Sequence, residues 1–291
     1  MRKIALALAL AVAAAGFAFV APAAVDAGGG PTTDVYAVHG LNLAGQTAQG
    51  DGMTNVTVCQ GDTNPPLIPN FQFGEVGGPI PVPTGSAVTI KVWLQNTPGT
   101  PVDCTNGTGG NIVIDQTIPT VPAGTVALVA TAGPESQGPE LTPYVLNTDC
   151  VDPGNGRLTG AHAANAGTVD VLVNANPVGQ LAYGQLLDAD LPAGTVKVQV
   201  DLSGNPIVAE TDVEVVEANN RVIYVVGNQP ITNGVEPGSA EPEAPVANTP
   251  VVPLVQDLPL DTCETPVEPE TAPDSAARQP TVVAARPAFT G

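Results

Sequence analysis

The stretch LPAGTVKVQVDL (191–202) sets Val196, Val198, Val200 and Leu202 in alternation with Lys197, Gln199 and Asp201. Period two with β-branched residues means a strand with one buried face. Pro192-Ala193-Gly194 supplies the turn before it, Pro by fixing φ and Gly by tolerating positive φ. The stretch VPTGSAVTIKVWL (82–94) has the same design, with Pro83-Thr84-Gly85 as the turn and Val88, Ile90, Val92 and Leu94 on the buried face.

The correspondence extends in both directions. VYAVHG (35–40) aligns with LTGAHA (158–163), setting His39 against His162, and NVTVC (55–59) aligns with TVDVL (168–172). FQFG (71–74) aligns with LAYG (181–184), IVID (112–115) with IVAE (207–210), and TVALVA (125–130) with RVIYVV (221–226). Each copy then holds six or seven short strands between turn residues. Units of that size read as two β-domains and not as a solenoid. The expected fold is all-β: two tandem Ig-like β-sandwich domains followed by a disordered Pro/Glu-rich tail. The expected boundaries are a signal peptide over 1–27, a first domain over 28–150, a second over 151–234 and an acidic Pro-rich tail over 235–291. The tail lacks periodicity and is rich in Pro, Glu, Ala and Thr. The first copy has longer connections at 41–54 and 95–111, which is where binding function usually sits.

At its start, Arg2 and Lys3 precede an unbroken apolar run from Ile4 to Val20, followed by the small-residue sites Ala21-Pro22-Ala23 and Val25-Asp26-Ala27. That is the pattern of a secretory leader. Four cysteines (Cys59, Cys104, Cys150 and Cys263) fit disulfides in an exported chain. Four cysteines allow three pairings. Cys59–Cys104 is favoured because both lie in the first copy, and closing that loop is worth about 4 kcal/mol. Cys150–Cys263 would then tie the tail to the linker between copies.

A formal charge of −20 repels a phosphate backbone and an anionic membrane surface, so neither nucleic acid nor membrane is an expected partner. No nucleophile elbow, zincin helix or phosphate-binding loop is present, and no cofactor is implied. Asp115, Asp170, Asp188, Asp190 and Glu210 are available for carboxylate chemistry, but nothing in the sequence singles out a pair. The expectation is therefore a non-enzymatic protein. His39 and His162, at matching positions, read as structural. Asn147, Asp149, Asp152 and Asn155 put four oxygen side chains within nine residues, without the spacing of an EF-hand loop; Asp/Asn clusters in turns more often bond their own backbone, and a calcium site is the lesser reading. Trp93, the single tryptophan, alternates away from Val92 and Leu94 onto the face of Thr89 and Lys91, where the 95–111 loop or the second domain is expected to cover it; it is also the best single candidate for a ligand contact.

The run GRLTGAHAANAGTVDVLVNANPV…LAYGQLLDADLPAGTVKVQV…VEVVEANNRVIYVVG resembles the bacterial domain-of-unknown-function 4397 family, in which the His, the VDV strand and the PAG turn recur in that order. The first copy looks like a divergent form of the same domain, with VTVCQ in place of VDV. In the second copy Asn219-Asn220 stand where the family has Gly. The resemblance implies an exported, cell-surface or wall-associated β-sandwich, often in tandem, with no assigned activity. The functional expectation is an exported cell-envelope or extracellular binding or adhesion module for a cell-wall, glycan or protein partner. The alternatives are a self-associating structural envelope protein and, third, a carboxylate-based polysaccharide hydrolase.

Overall fold

The computed structural model describes residues 31–41, 55–131, 138–227 and 251–263. The first copy holds β1 (Thr32–His39), β2 (Asn55–Gln60), β3 (Ile68–Gln72), β4 (Val76–Pro83), β5 (Val88–Gln95), β6 (Gly110–Ile118), β7 (Thr125–Thr131) and β8 (Glu140–Leu146). The second holds β9 (Asn155–His162), β10 (Val169–Val173), β11 (Asn176–Leu181), β12 (Leu186–Pro192), β13 (Gly194–Leu202), β14 (Asn205–Val215), β15 (Asn219–Val226) and β16 (Val252–Pro259). The described residues are all-β. The leader and the 42–54 connection lie outside them.

The strands form four sheets, ordered β4-β1-β7-β8, β3-β2-β5-β6, β12-β9-β15-β16 and β11-β10-β13-β14. Raising every label in the first two sheets by eight gives the last two, so the duplication is one of topology. Each copy has eight strands, more than the six or seven expected. The opening alternation is realised: Val196, Val198 and Val200 are buried on β13, with Leu202 half-buried at its end, and Val88, Ile90, Val92 and Leu94 are buried on β5.

One alignment shifts by a residue. The parallel ladder of β1 on β7 sets His39 opposite Ala130, and that of β9 on β15 sets His162 opposite Val225. Residues 125–130 therefore correspond to 220–225, not to 221–226. A one-residue slip exchanges the two faces of a strand. Sequence could not resolve it because β7 is buried on both faces from Val126 onward, as is β15 from Val222 onward. A strand covered on both sides is continuously apolar and loses its alternation.

The double burial follows from a stack of four layers. Val35, Val58, Ile90, Val126 and Leu128 fill the first sandwich. Two clusters around Val171, Val200 and Val225, and around Val196, Val213 and Ile223, fill the second. A further apolar layer lies between the sandwiches. Val38, Ala127, Val129, Tyr144 and Leu146 of the β4-β1-β7-β8 sheet meet Ala161, Val222, Tyr224, Val226, Leu254 and Leu258 of the β12-β9-β15-β16 sheet. The fully buried Tyr144 hydroxyl donates to the His162 carbonyl at 2.7 Å across this layer, and the Tyr224 hydroxyl donates to Gln256 Oε1 at 2.6 Å. Burial raises the pKa of both phenols, so they stay neutral donors. Gly40 permits the close approach: a Cβ there would stand 2.6 Å from Val226 Cγ1.

Residues 251–263 correct the expected disordered tail. β16 pairs antiparallel with β15 along its full length, from Asn219↔Pro259 to Val226↔Val252, and buries Leu254, Gln256 and Leu258. Its alternating Leu residues are a strand signal hidden in Pro-rich text. The rest of the 235–291 segment lies outside the described residues. β16 is fixed at its far end by Cys150–Cys263, whose Cα atoms are 5.0 Å apart, and by the Val151↔Thr262 bridge.

If β16 is part of the core, Leu258→Ala should lower unfolding free energy by about 2–5 kcal/mol in urea denaturation. A loss under about 0.5 kcal/mol, the usual surface value, would place β16 outside the cooperative fold.

Candidate functional site

The two copies differ most between their fifth and sixth strands. In the second copy Ser203 and Gly204, both at positive φ, join β13 to β14 as a tight hairpin. In the first, residues 96–109 intervene and fold over the outer face of the β3-β2-β5-β6 sheet.

Gln95, 4% exposed, starts the fold of this loop. Its Nε2 donates to Thr57 Oγ1 at 3.0 Å, to the Pro69 carbonyl at 2.8 Å and to Asn70 Oδ1 at 2.9 Å, while its Oε1 accepts from the Gly99 N–H at 2.8 Å. The Val102 N–H donates to Thr57 Oγ1 at 3.1 Å, and the Val102 side chain is buried. Buried polar groups cost little only when partnered, so this set fixes the loop in one place. Cys104, also buried, is bonded to Cys59 on β2. Beyond it, Asn64 accepts from the Cys104 N–H at 3.1 Å and donates to Asp103 Oδ1 at 2.5 Å and to Thr105 Oγ1 at 2.9 Å. Asp103 also accepts from the Thr105 N–H at 2.9 Å and from Asn106 Nδ2 at 3.0 Å. These bonds, that from Asn64 foremost, hold the Asp103 carboxyl below the ordinary carboxylate pKa.

Trp93 lies beneath this loop. A Cβ on Gly107 would be 2.5 Å from Trp93 Cη2, so the glycine Cα rests on the ring, and Gly107 adopts φ +72. The indole is half-buried, and its Nε1 has no acceptor among the described residues. Trp93 leaves the core side of β5 and is covered by the 96–109 loop, as expected of the 95–111 connection, so what reaches solvent there is the loop itself: Thr105, Asn106 and Thr108 are exposed.

The possible calcium cluster is organised around a built-in cation. The Arg157 guanidinium, 5% exposed, is held by Asp190 at 2.7 and 3.1 Å and by the carbonyls of Asn147 at 3.4 Å and Asp149 at 3.1 Å. Asn147 Oδ1 accepts from the Asp149 N–H at 3.0 Å, and the Asp152 carbonyl from the Asn155 N–H at 3.0 Å. Asn147 and Asp149 thus lie in a turn whose carbonyls close on Arg157, and Asp152 and Asn155 in a second turn, the backbone-bonding arrangement expected of Asp and Asn clusters. No group of three or more His, Cys, Asp or Glu among the described residues is placed to hold a metal ion.

His39 and His162 are buried, and each sits in the same backbone device. The Gly74 N–H donates to the His39 carbonyl at 2.8 Å, and the Gly184 N–H to the His162 carbonyl at 2.9 Å, both glycines at positive φ. This ties the FQFG and LAYG turns to the histidine strands and explains why the motifs recur together. His162 Nε2 is 3.0 Å from the Gly167 carbonyl. Tyr183, beside the His162 ring, donates to Glu140 at 2.8 Å and is hydrogen-bonded to Thr131 and Thr142 of the first copy. Burial pushes the Tyr183 phenol up to about 12. The acids available for hydrolysis are engaged elsewhere: Asp115 faces Lys91, Glu210 is on Lys197, Asp190 on Arg157, Asp188 accepts from Thr159 and Asp170 from Gln180.

Residues 29–172 match the model of a family described as a domain of unknown function, DUF4397. That span covers the first sandwich and runs through most of β10. A solved structure described as a candidate cell adhesion protein of Bacteroides fragilis aligns over 82% of this chain and 100% of its own, at 10% identity and a TM-score of 0.18. No curated protein matches the chain.

Because Trp93 is the single tryptophan, its fluorescence reports the loop alone. Replacing both Cys59 and Cys104 by Ser should shift its emission to the red and lower stability by about 2–4 kcal/mol. Unchanged emission would mean that the loop holds its place without the bond. His162 yields a pH prediction. Burial, its first cause, holds its pKa below the ordinary value of 6.5, so the folded state favours the neutral ring. The unfolded state then binds more protons below about pH 6.5, and stability should be flat above that pH and fall beneath it. Urea midpoints should show this decline in the natural chain and a smaller one in His162→Gln.

Proposed function

We propose that the chain is an exported, non-enzymatic binding module of the cell envelope or extracellular medium, and that loop 96–109 is its contact surface. The observation that carries this reading is the asymmetry between copies. The second sandwich closes the same connection with Ser203 and Gly204, so the sandwich itself does not require the loop. The first copy instead holds it with a disulfide, a buried glutamine and a tryptophan platform. A rigid, exposed loop loses little conformational entropy on binding, which is the advantage of a preorganised contact surface. Thr105, Asn106 and Thr108 present amide and hydroxyl groups of the kind that bond sugar hydroxyls or a peptide backbone. Export is supported by the leader pattern and by two disulfides with no free cysteine among the described residues, as an oxidising compartment would leave them. The partner class is a cell-wall glycan or a surface protein.

The test is co-sedimentation of the full mature chain with purified envelope of its host. The natural chain should pellet saturably, and Thr108→Arg, at an exposed position, should weaken that at least tenfold without moving the urea midpoint. Binding that Thr108→Arg and Thr105→Arg both leave intact would remove loop 96–109 from the contact surface.

A further inference from the structure

The sequence holds three Asn-Gly pairs: Asn106-Gly107, Asn155-Gly156 and Asn233-Gly234, the last outside the described residues. In such a pair the glycine nitrogen can attack the preceding carboxamide, because glycine puts no side chain in the way. The two described pairs sit in opposite settings. Asn155-Gly156 opens β9, where both residues pair with β12 and Gly156 is buried. Asn106 is exposed in loop 96–109, with Gly107 at positive φ beside it.

Three bonds keep Asn106 from reacting. Its Oδ1 accepts from the Thr108 N–H at 2.8 Å and its Nδ2 donates to Asp103 Oδ2 at 3.0 Å, so the carboxamide is held in one orientation. The Gly107 N–H, whose proton must leave, donates to the Asp103 carbonyl at 2.7 Å. All three belong to the 103–108 turn, which the Asp103 N–H closes on the Thr108 carbonyl at 3.1 Å. A lone turn does not hold itself against chain entropy. This one is anchored by Cys104, bonded to Cys59 of β2, and by Asn64, which bonds Asp103, Cys104 and Thr105.

We infer that Asn106 is a self-modification site that the Cys59–Cys104 disulfide keeps closed, and that release of the disulfide converts the loop irreversibly. Release takes a thiol reductant: two thiols become one disulfide, and Cys59 and Cys104 take up the two electrons and two protons. Both cysteines are buried, so reduction proceeds through transient opening of the loop. In the freed turn the Gly107 nitrogen attacks Asn106 Cγ, the Cγ–Nδ2 bond breaks, and ammonia leaves with the proton that the Gly107 nitrogen gives up. Water then opens the cyclic imide at either carbonyl, giving Asp or isoaspartate. Either product blocks the return. A carboxylate oxygen replaces Nδ2 and faces the Asp103 carboxylate, a like-charge contact in place of a hydrogen bond. Isoaspartate also adds a methylene to the backbone of the turn. Reoxidation of the cysteines therefore does not restore the loop, which keeps a record that the chain has met a reductant. The device holds whether or not the loop is the contact surface.

Peptide mapping of the full mature chain after incubation at neutral pH tests this, with mass spectrometry following Asp and isoaspartate at positions 106 and 155. Asn106 should convert about 100-fold slower in the natural chain than in the same chain unfolded in guanidinium. In Cys59→Ser/Cys104→Ser, which releases the loop without a reductant, it should convert within about tenfold of the unfolded rate, while Asn155 stays as slow as in the natural chain. Asn64→Ala, at an exposed position, should also speed Asn106 with the disulfide intact. Slow conversion of Asn106 in both variants would overturn the proposal, as would conversion in the folded natural chain at the unfolded rate. So would acceleration of Asn155 alongside Asn106, because global unfolding and not release of the loop would then expose the pair.

Discussion

The apolar layer between the two sandwiches is the constraint on which the rest of the molecule depends. It requires the β4-β1-β7-β8 and β12-β9-β15-β16 sheets to be apolar on both faces, which a sequence with 43% hydrophobic and only 3% aromatic residues meets with Val, Ala and Leu. Two of its four tyrosines, Tyr144 and Tyr224, are fully buried in that layer, and both hydroxyls are partnered there. The layer also explains β16. Without Leu254 and Leu258 the β15 side of the layer would be open to water, so the strand has to return after residues 228–250 to close it. Cys150–Cys263 then closes a loop of 113 residues, worth about 4–5 kcal/mol on chain entropy alone.

Duplication gave each copy the same topology, and the differences between copies then carry the functional interest. The outer sheet of the second sandwich ends its central hairpin in a two-residue turn. The outer sheet of the first is covered by a loop that buries Val102 and Cys104 and rests Gly107 on the Trp93 ring. The polar side of the inter-sandwich contact is equally specific. Arg157 gathers Asp190 and the linker carbonyls of Asn147 and Asp149, and Asn220 donates to the Asn147 carbonyl at 3.0 Å. These bonds fix the path of the chain between the sandwiches. A buried guanidinium left without them would be costly, so the linker and β9 order each other.

Much of this was legible in the sequence because it is local. The alternation of TVKVQVDL and VTIKVWL, the PAG and PTG turns and the pairing of His39 with His162 are all short-range signals. So was the assignment of Cys59 to Cys104, which needed only the repeat. What was not legible is long-range. The face of 221–226 was hidden because double burial erases period two. β16 was hidden by flanking Pro and Glu, although Leu254, Gln256 and Leu258 alternate. Trp93 reads as outward by periodicity, and it is outward from the core of its own sandwich. That the 95–111 connection would cover it was legible too; that it does so through Gly107 on the ring and Cys104 bonded to Cys59 was not. The oxygen-rich run 147–155 reads as turns that bond their own backbone, and it forms them; that the carbonyls of Asn147 and Asp149 also take the Arg157 guanidinium is not visible in it.

The central claim is that a shared inner layer makes the two sandwiches one cooperative structure. Differential scanning calorimetry of the full mature chain tests it most directly. The account predicts a single transition whose calorimetric and van't Hoff enthalpies agree. Two resolved transitions, or a van't Hoff enthalpy near half the calorimetric value, would show the sandwiches unfolding independently and would contradict it.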